Sequence, residues 1–457
     1  MRSIIQTLII VLAVCAGGSA TSVLFSTPFV VNNLASVTTD FQRASLQGGV
    51  FIVPYISLAQ LNMGHYILIN ATTDSITAIT NGTMFWPSEQ YAYSTIVVSG
   101  GIVVSSITFN SSIPQTVFYN KICSYTTLDR CTSTSSGTNI SISASPVLAM
   151  TDIGSTNFGS VALGQAANGQ FVTEFLTGNS SSLAEGYTTV QEYQPSWSLS
   201  NSLLALGSNN VAAICVTYSG IVCSPFDPIK GHPNSFFPIE SSSSCASASL
   251  LQIRLELVSG HSIVHVLYVC NSSALKYASW DADSASLLAA AVLDSAYSAP
   301  TSLVYNPWMA FSLSGAYCIW DAADSSVKLA SLPSSPNGAI NVSTICSNCL
   351  GSSLDVDSAG NILISYYVAD VSSGMSLLFV NLTCDGRSGG ASTSMVTGPG
   401  STKTFIGSIC STGVLVATQS GAFKTTVSLV VLNSATKAAL NFVTWLLVIL
   451  AGCLLTT

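Results

Sequence analysis

The chain has 457 residues, of which 7% are charged and 48% are hydrophobic, and its formal net charge is −8. Ordinary soluble domains carry about 25% charged residues, so this chain must rely on Ser, Thr and Asn for most of its polar surface. No cluster of Lys and Arg occurs along the sequence, which excludes nucleic acid and anionic lipid headgroups from the expected partners.

Residues 1–20 have the pattern of a secretory signal peptide. Met1 and Arg2 give a basic start, residues 4–14 are almost wholly apolar, and small residues follow at 17–20. The apolar run is too short to span a bilayer comfortably. We therefore predict cleavage after Ala20 and entry of the chain into the secretory pathway.

Asn-x-Ser/Thr triplets, the acceptor sequence for N-linked glycan, recur along the chain. They lie at Asn70, Asn81, Asn110, Asn139, Asn179, Asn271, Asn341 and Asn381. Because a sequence rich in Ser and Thr produces such triplets by chance, we expect most but not all of them to carry glycan.

The body of the chain has the pattern of an all-β protein. Short runs rich in Val, Ile, Leu, Tyr and Thr alternate with clusters of Gly, Ser, Asn and Asp, as in 94–109, 303–321 and 361–370. One segment, 285–297, is ambiguous, because its alanines favour a helical turn whereas its flanks favour strands.

Most cysteines of a protein in an oxidising compartment are expected to be paired. Cys215 and Cys223 flank a Tyr-Ser-Gly loop in which Gly220 supplies the left-handed residue of a hairpin, so they fall opposite each other on adjacent strands. Cys123 and Cys131 have the same spacing and are the second predicted pair. The connections of the other cysteines stay open, and their odd number leaves one over: Cys245, Cys270, Cys318, Cys346, Cys349, Cys384 and Cys410. The Cys-x-x-Cys spacing within this set occurs in redox and zinc sites, but without a second such pair we interpret it as a structural disulfide.

A short unit, in which four aliphatic or aromatic residues precede an Asn or Asp turn, recurs along the chain. The turns lie at Asn70, Asn120, Asn271, Asp321, Asn381 and Asn433, with two weaker units near Thr173 and Asp227. Units of about 50 residues built of a few strands fit the blades of a β-propeller, because a four-stranded blade can bury both its faces only against its neighbours. We predict a single propeller over residues 21–433, with about seven four-stranded blades and a range of six to eight. The alternative is a pair of β-sandwich domains divided near 241–244.

Two motifs resemble those of known propeller repeats. "IWDAAD" from Ile319 is similar to the strand end of a tryptophan-aspartate repeat, and "DVDSAGNILIS" from Asp355 is similar to the turn and strand of another propeller repeat class. The resemblance implies a β-propeller fold. A second Trp-Asp doublet, at 280–281, lies ten residues beyond the turn at Asn271, so it cannot occupy the place in its unit that the doublet at 320–321 occupies.

Pairs of aspartates were considered as calcium ligands. Asp355 and Asp357 stand where a calcium loop places its first two ligands, with Gly360 at the turn, but no acid closes the loop and the oxygen count falls short. We interpret this segment as a β-turn. Two weaker versions of the same pattern are Asp281 with Asp283 and Asp321 with Asp324.

Histidine and serine patterns give no catalytic set. His261 and His265 would share one face of a strand, with Glu256 upstream, but their Cα atoms would lie roughly 13 Å apart at the rise of a strand. That is too far for one ion, so we expect ordinary half-buried histidines. The string "GRSGG" at 386–390 lacks the preceding strand and following helix of a nucleophile elbow. The sequence therefore predicts no catalytic residue, no metal ligand and no cofactor.

Residues 434–457 have the pattern of a glycosylphosphatidylinositol (GPI) attachment signal. Small residues at 433–435 precede a short polar stretch and an apolar tail from Phe442 to Leu455. The tail is shorter than the roughly 20 residues of a spanning helix, and no Lys or Arg follows it. We predict that Asn433 or Ser434 carries the lipid. A single-pass membrane anchor is the second interpretation, and a soluble protein is the third.

These signals predict a glycoprotein on the extracellular face of the plasma membrane. The first functional hypothesis is binding or adhesion, with an unidentified protein or glycan as the ligand, because that role needs no catalytic residues. The second is an extracellular hydrolase or lyase, which would require several acids, arginines or histidines to converge in the central channel. The third is a structural coat protein. Fold analogy alone does not decide among them.

Overall fold

The computed structural model describes β-strands between residues 22 and 433, and individual side chains at positions within 147–178, 202–298 and 307–364. All the regular elements of this described part are β-strands. It holds no helix with the length and apolar character that crossing a membrane requires.

Strands that follow one another in the sequence pair antiparallel and form four-stranded sheets. The first sheet contains β3 (Leu34–Val37), β4 (Val50–Ser57), β5 (Gln60–Ala71) and β6 (Ile76–Met84). The second contains β7 (Gln90–Val98), β8 (Gly101–Asn110), β9 (Gln115–Ser124) and β10 (Thr132–Ile140). The third contains β11 (Val147–Asp152), β12 (Asn157–Gln165), β13 (Phe171–Asn179) and β14 (Leu183–Gln191).

The next four sheets repeat this arrangement. The fourth contains β15 (Ser202–Leu206), β16 (Ala212–Thr217), β17 (Gly220–Phe226) and β18 (Phe237–Ser241). The fifth contains β19 (Ala248–Val258), β20 (His261–Cys270), β21 (Ala274–Asp281) and β22 (Ser286–Asp294). The sixth contains β23 (Trp308–Ser312), β24 (Gly315–Asp321), β25 (Ser326–Leu332) and β26 (Asn341–Ser347). The seventh contains β27 (Cys349–Val356), β28 (Ile362–Asp370), β29 (Gly374–Leu382) and β30 (Thr393–Val396).

The eighth sheet combines strands from both ends of the described chain. It contains β31 (Ser401–Cys410), β32 (Gly413–Ser420) and β33 (Lys424–Asn433). Two strands from the other end, β1 (Ser22–Phe25) and β2 (Phe29–Asn32), both pair antiparallel with β33.

Apolar clusters fill the spaces between consecutive sheets wherever side chains are described. Ile214 of the fourth sheet packs with Phe175 of the third, whereas Cys215, the next residue, belongs to the cluster shared with the fifth sheet. The same alternation places Tyr268 against the fourth sheet and Leu267 against the sixth. Because both faces of these sheets are covered, their middle strands are nearly continuous apolar runs rather than alternating ones.

In five pairs of consecutive sheets, the first strand of one sheet contacts the first strand of the next. This holds for β7 with β11, β11 with β15, β15 with β19, β23 with β27 and β27 with β31. The first strands are therefore the inner strands, and the fourth strands lie at the periphery. Four-stranded antiparallel sheets with this packing are the blades of a β-propeller, as the repeat predicts.

The described strands form eight sheets, the upper end of the predicted range. The eight positions predicted as turns, including Thr173 and Asp227, each belong to a different sheet. The predicted count of seven equals the number of intervals between these positions. The turn prediction is wrong for Asn120 and Thr173, which pair within strands β9 and β13. A division into sandwich domains near 241–244 is wrong, because an apolar cluster joins the fourth and fifth sheets on either side of that run.

Two local expectations are settled by the strand order. The ambiguous segment 285–297 contains the strand β22, so the helical-turn interpretation is wrong, and β22 is the fourth strand of its sheet, paired with β21. The two Trp-Asp doublets differ in position: Trp280 lies on the third strand of the fifth sheet, and Trp320 lies on the second strand of the sixth. They are therefore not equivalent residues of a repeat.

Candidate functional site

An imidazole and two carboxylates meet at one end of the fifth sheet. The pairing of β20 with β21 places Ile263 opposite Asp281, and continuing that register brings His261 opposite Asp283 in the turn that follows. His261 Nδ1 lies 3.2 Å from Asp281 Oδ2. One potential ligand atom of each of the three residues lies within 4.8 Å of the others. We call His261, Asp281 and Asp283 the fifth-sheet cluster.

Backbone amides orient both carboxylates of this cluster. Asp281 Oδ1 accepts hydrogen bonds from the N–H of Asp283, at 2.9 Å, and of Ser284, at 3.4 Å. Asp283 Oδ2 accepts one from the N–H of Ser262, at 2.8 Å. The Ser262 hydroxyl in turn accepts a bond of 2.8 Å from Asn209 Nδ2 of the fourth sheet. The cluster is thus tied to two neighbouring sheets.

The members of the cluster differ in exposure. The His261 side chain is 60% exposed, whereas that of Asp281 is only 11% exposed. Burial opposes ionisation of Asp281, but hydrogen bonds from Ser284 and Asp283 and the charge interaction with His261 outweigh it, so its pKa is lower than usual. The arrangement therefore presents an ionised carboxylate beside an accessible imidazole.

His265 has different surroundings from His261, and the expectation of two half-buried histidines is wrong. His261 is exposed, whereas the His265 side chain is fully buried. His265 Nδ1 lies 2.7 Å from the Tyr277 hydroxyl, and Nε2 lies 3.2 Å from Glu256 Oε2. Tyr277 also donates to the carbonyl of Pro333, which lies between β25 and β26 of the sixth sheet, at 3.2 Å. Sequence spacing alone cannot distinguish the two histidines. It does not show which residues of a strand are covered by the neighbouring sheets and which lie at its exposed end.

Acids with little solvent exposure on peripheral strands join consecutive sheets. Glu240, at the periphery of the fourth sheet, accepts hydrogen bonds from Tyr268 Oη and Lys276 Nζ of the fifth, each at 2.9 Å, and another from Ser244. Tyr268 and Lys276 are opposite each other on β20 and β21. Burial raises the pKa of Tyr268, which therefore acts as a neutral donor. We call this arrangement an acid lock.

The same lock recurs one sheet further along the chain. Asp294 of the fifth sheet accepts hydrogen bonds from Trp320 Nε1, at 3.0 Å, and Lys328 Nζ, at 3.4 Å, of the sixth. Trp320 and Lys328 are opposite each other on β24 and β25, as Tyr268 and Lys276 are in the fifth sheet. Burial opposes ionisation of both acids, but their hydrogen bonds outweigh it, so each pKa is lower than usual.

Asp321 and Asp324, one of the aspartate pairs with the calcium-loop pattern, accept hydrogen bonds from neighbouring residues instead. Asp321 Oδ1 accepts a hydrogen bond from the N–H of Ser352 in the seventh sheet, at 3.1 Å. Asp324 Oδ1 accepts bonds from both the N–H and the hydroxyl of Ser326 within its own turn. Asp355 lies in β27, paired with Leu363. The side chain of Asp355, together with Asp357 and Gly360, lies outside the described residues.

Three disulfides are present among the described cysteines. One joins Cys215 and Cys223, which pair directly across β16 and β17 with Cα atoms 4.1 Å apart. The others join Cys245 to Cys270 and Cys346 to Cys349. Cys318 is the free cysteine of this part of the chain; it is buried, and burial raises the pKa of its thiol. The predicted pair Cys123 and Cys131 has its side chains outside the described residues.

Two of the predicted glycosylation sites can be placed at the level of side chains. Asn271 is exposed in the turn between β20 and β21, and Asn341 is exposed at the start of β26. The other six side chains lie outside the described residues: Asn70, Asn81, Asn110, Asn139, Asn179 and Asn381. Residues 1–20, the string at 386–390, the side chain of Asn433 and residues 434–457 also lie outside them.

No protein-family model matches the chain, and no curated protein matches it either. Solved structures do match. The WD40 domain of SCAP from fission yeast is 10% identical, with 91% of this chain and 99% of that chain covered and a TM-score of 0.47. AofleA from Arthrobotrys oligospora is 7% identical, with 83% and 88% covered and a TM-score of 0.37. The SapL1 lectin in complex with alpha methyl fucoside is 12% identical, with 67% and 96% covered and a TM-score of 0.32. At fold level, the chain resembles β-propeller proteins.

Proposed function

We propose that this chain is a cell-surface recognition protein, in which a GPI-anchored, glycosylated propeller binds a protein or glycan ligand. The observation that carries this proposal is the placement of the described polar groups. The acids of the locks accept hydrogen bonds between sheets, and His265 is buried between them. The fifth-sheet cluster, in contrast, is accessible at the turns. A rigid scaffold that displays polar turns is the usual basis of a recognition surface.

The position of the cluster favours binding over catalysis in a central channel. His261 begins the second strand of its sheet, and Asp281 ends the third. The inner strand is the first one, β19, so these groups do not lie on the strand that lines the axis. A channel hydrolase or lyase would need several acids, arginines or histidines to converge at the axis, and this cluster supplies none of them there. That function is therefore the weaker candidate.

Secretion and glycosylation are supported by two further features. The described disulfides fit an oxidising compartment. Asn271 and Asn341 are exposed, so a glycan attached to either would extend into solvent without displacing a core residue. A chain with so few charged residues would gain much of its solubility from such glycans.

Display through a lipid can be tested on intact cells. The full-length chain, carrying an epitope tag after residue 20, should be labelled on unpermeabilised cells and released by a phosphatidylinositol-specific phospholipase. A matched chain with residues 434–457 replaced by a transmembrane helix should stay with the cells under the same treatment. If the lipase releases neither chain, the GPI assignment is wrong.

Recognition can be tested separately with the secreted segment 21–433. It should bind one class of glycan or cell-surface protein saturably and leave that ligand chemically unchanged. Turnover of the ligand would support the hydrolase instead. An absence of saturable binding, with the protein still displayed on cells, would favour the coat-protein hypothesis.

A further inference from the structure

We propose that the fifth-sheet cluster binds a divalent transition-metal ion, with Zn²⁺ as the reference ion. The proposed recognition function uses the same cluster, but metal binding is measured without a recognition ligand, so either proposal can fail alone. A tetrahedral ion bound at about 2.0 Å from each ligand sets its ligand atoms roughly 3.3 Å apart. His261 Nδ1 and Asp281 Oδ2 already lie 3.2 Å apart. Asp283 is exposed, so its second carboxylate oxygen can close the remaining distance by a side-chain rotation.

The ligand set selects the class of ion. One imidazole nitrogen with two carboxylate oxygens suits Zn²⁺ and its neighbours in the transition series. Ca²⁺ takes about six to eight oxygen ligands, and this cluster supplies too few. Three protein ligands leave one tetrahedral position for water or for a ligand atom from outside.

Hydrogen bonds orient both carboxylates before an ion arrives and leave Asp283 only a side-chain rotation to complete. Asp281 is oriented by two backbone amides and by the Ser284 hydroxyl, which donates to Oδ2 at 2.8 Å. Asp283 is held by the N–H of Ser262, whose side chain is anchored by Asn209 of the fourth sheet. Such contacts orient metal ligands and strengthen binding. A divalent cation would also offset the repulsion between two carboxylates held this close together.

The chain contains four histidines, and one of them lies at this turn, on the register that faces two aspartates. The other described histidine, His265, is buried among Glu256, Tyr277 and Phe311 and belongs to the packing between sheets. With four histidines in the chain, a chance meeting of one of them with two aspartates is less common than in a chain rich in histidine. The cluster also lies at the surface, where an ion has an entry path.

The test is a calorimetric titration with Zn²⁺ alone, using the secreted segment 21–433 purified without a polyhistidine tag and stripped with a chelator. The expected result is one ion per chain. H261A and D283N should each lower the affinity at least about tenfold. D227N is the matched control, because Asp227 is an exposed turn aspartate of the fourth sheet, paired with Lys230. Its affinity should equal that of the unmodified chain.

Three outcomes would overturn the proposal. The first is the absence of saturation by Zn²⁺ below about 1 mM. The second is an unchanged affinity in H261A that melts like the unmodified chain without metal; the exposure of His261 makes a folded variant the expected product. The third is equal affinity for Ca²⁺ and Zn²⁺, which would remove the assignment to a transition metal.

Discussion

The acid lock between the fourth and fifth sheets should contribute substantially to the free energy of unfolding. Glu240 accepts hydrogen bonds from Tyr268, Lys276 and Ser244. Its side chain is 13% exposed, and that of Lys276 is 18% exposed. Glu240→Ala would leave a largely buried ammonium and a buried hydroxyl without their acceptor. The change therefore removes hydrogen bonds and leaves desolvated donors behind.

The expected loss follows from that burial. Removing one partner of a fully buried ion pair costs about 3–5 kcal/mol, and a single hydrogen bond to a charged group contributes about 1.5–3 kcal/mol. Because both partners here keep some contact with water, we expect Glu240→Ala to lower the free energy of unfolding by about 2 kcal/mol. The exposed pair Asp227 and Lys230, at 39% and 83% exposed, should contribute less than about 0.5 kcal/mol.

The assay is urea unfolding of the secreted segment at pH 7, arranged as a double-mutant cycle of E240A and K276M. The two changes should couple by about 1–2 kcal/mol, since each removes the same contact. A cycle of D227N and K230M is the control and should show almost no coupling. If K276M is equally destabilising in the presence and absence of the Glu240 carboxylate, the lock does not contribute to stability.

Three further predictions follow from the described side chains. Thiol labelling followed by peptide mapping should show that Cys318, the free cysteine of the described part of the chain, reacts only after denaturation; rapid labelling of Cys318 in the native protein would contradict its burial. Because Glu240 and Asp294 have lowered pKa values in the folded state, their stabilisation should be complete above about pH 5 and lost as the pH falls below about 4 and through the lowered pKa of each acid. E240Q and D294N should flatten this loss in urea unfolding, and an unchanged slope would refute the linkage. Gly220→Ala should lower the free energy of unfolding by at least about 2 kcal/mol more than Gly260→Ala. Both glycines have a positive φ, +112° and +87°, but a Cβ at Gly220 would clash with the Glu240 carbonyl oxygen, whereas nothing lies within 4 Å of one at Gly260. Equal unfolding midpoints of the two variants would exclude this contact.

The architecture could be predicted from the sequence because its signals are local and repeated. Turn residues such as Asn70 and Asn271 mark one unit at a time, and each unit must bury its faces against the next. The count was less certain because the turn residue ends the second strand at Asp321 but lies in the third at Asn381. The segment 285–297 was ambiguous because alanine favours helices in isolation, whereas pairing with β21 decides for a strand.

The candidate site depends on the pairing register of β20 and β21, and the sequence indicates that register only weakly. Asp281 and Asp283 were considered with each other, and His261 with His265, but the contact that matters joins the two pairs across a hairpin. A signal was present: if the turn that begins at Asn271 is centred on Ser272, then counting outward by equal steps in both directions brings His261 to Asp283. The locks could not be found this way, because Glu240 and Lys276 belong to different sheets and no local spacing relates them.

The most direct test of the architecture is a disulfide trap between the two ends of the chain. Leu24 pairs with Val431 across β1 and β33, although the two residues lie near opposite ends of the sequence. Cysteines introduced at both positions should form a cross-link, and proteolysis followed by mass spectrometry should recover one linked peptide that contains both. Recovery of the two peptides separately, from a protein that still binds its ligand and melts normally, would contradict a propeller in which one sheet holds both ends.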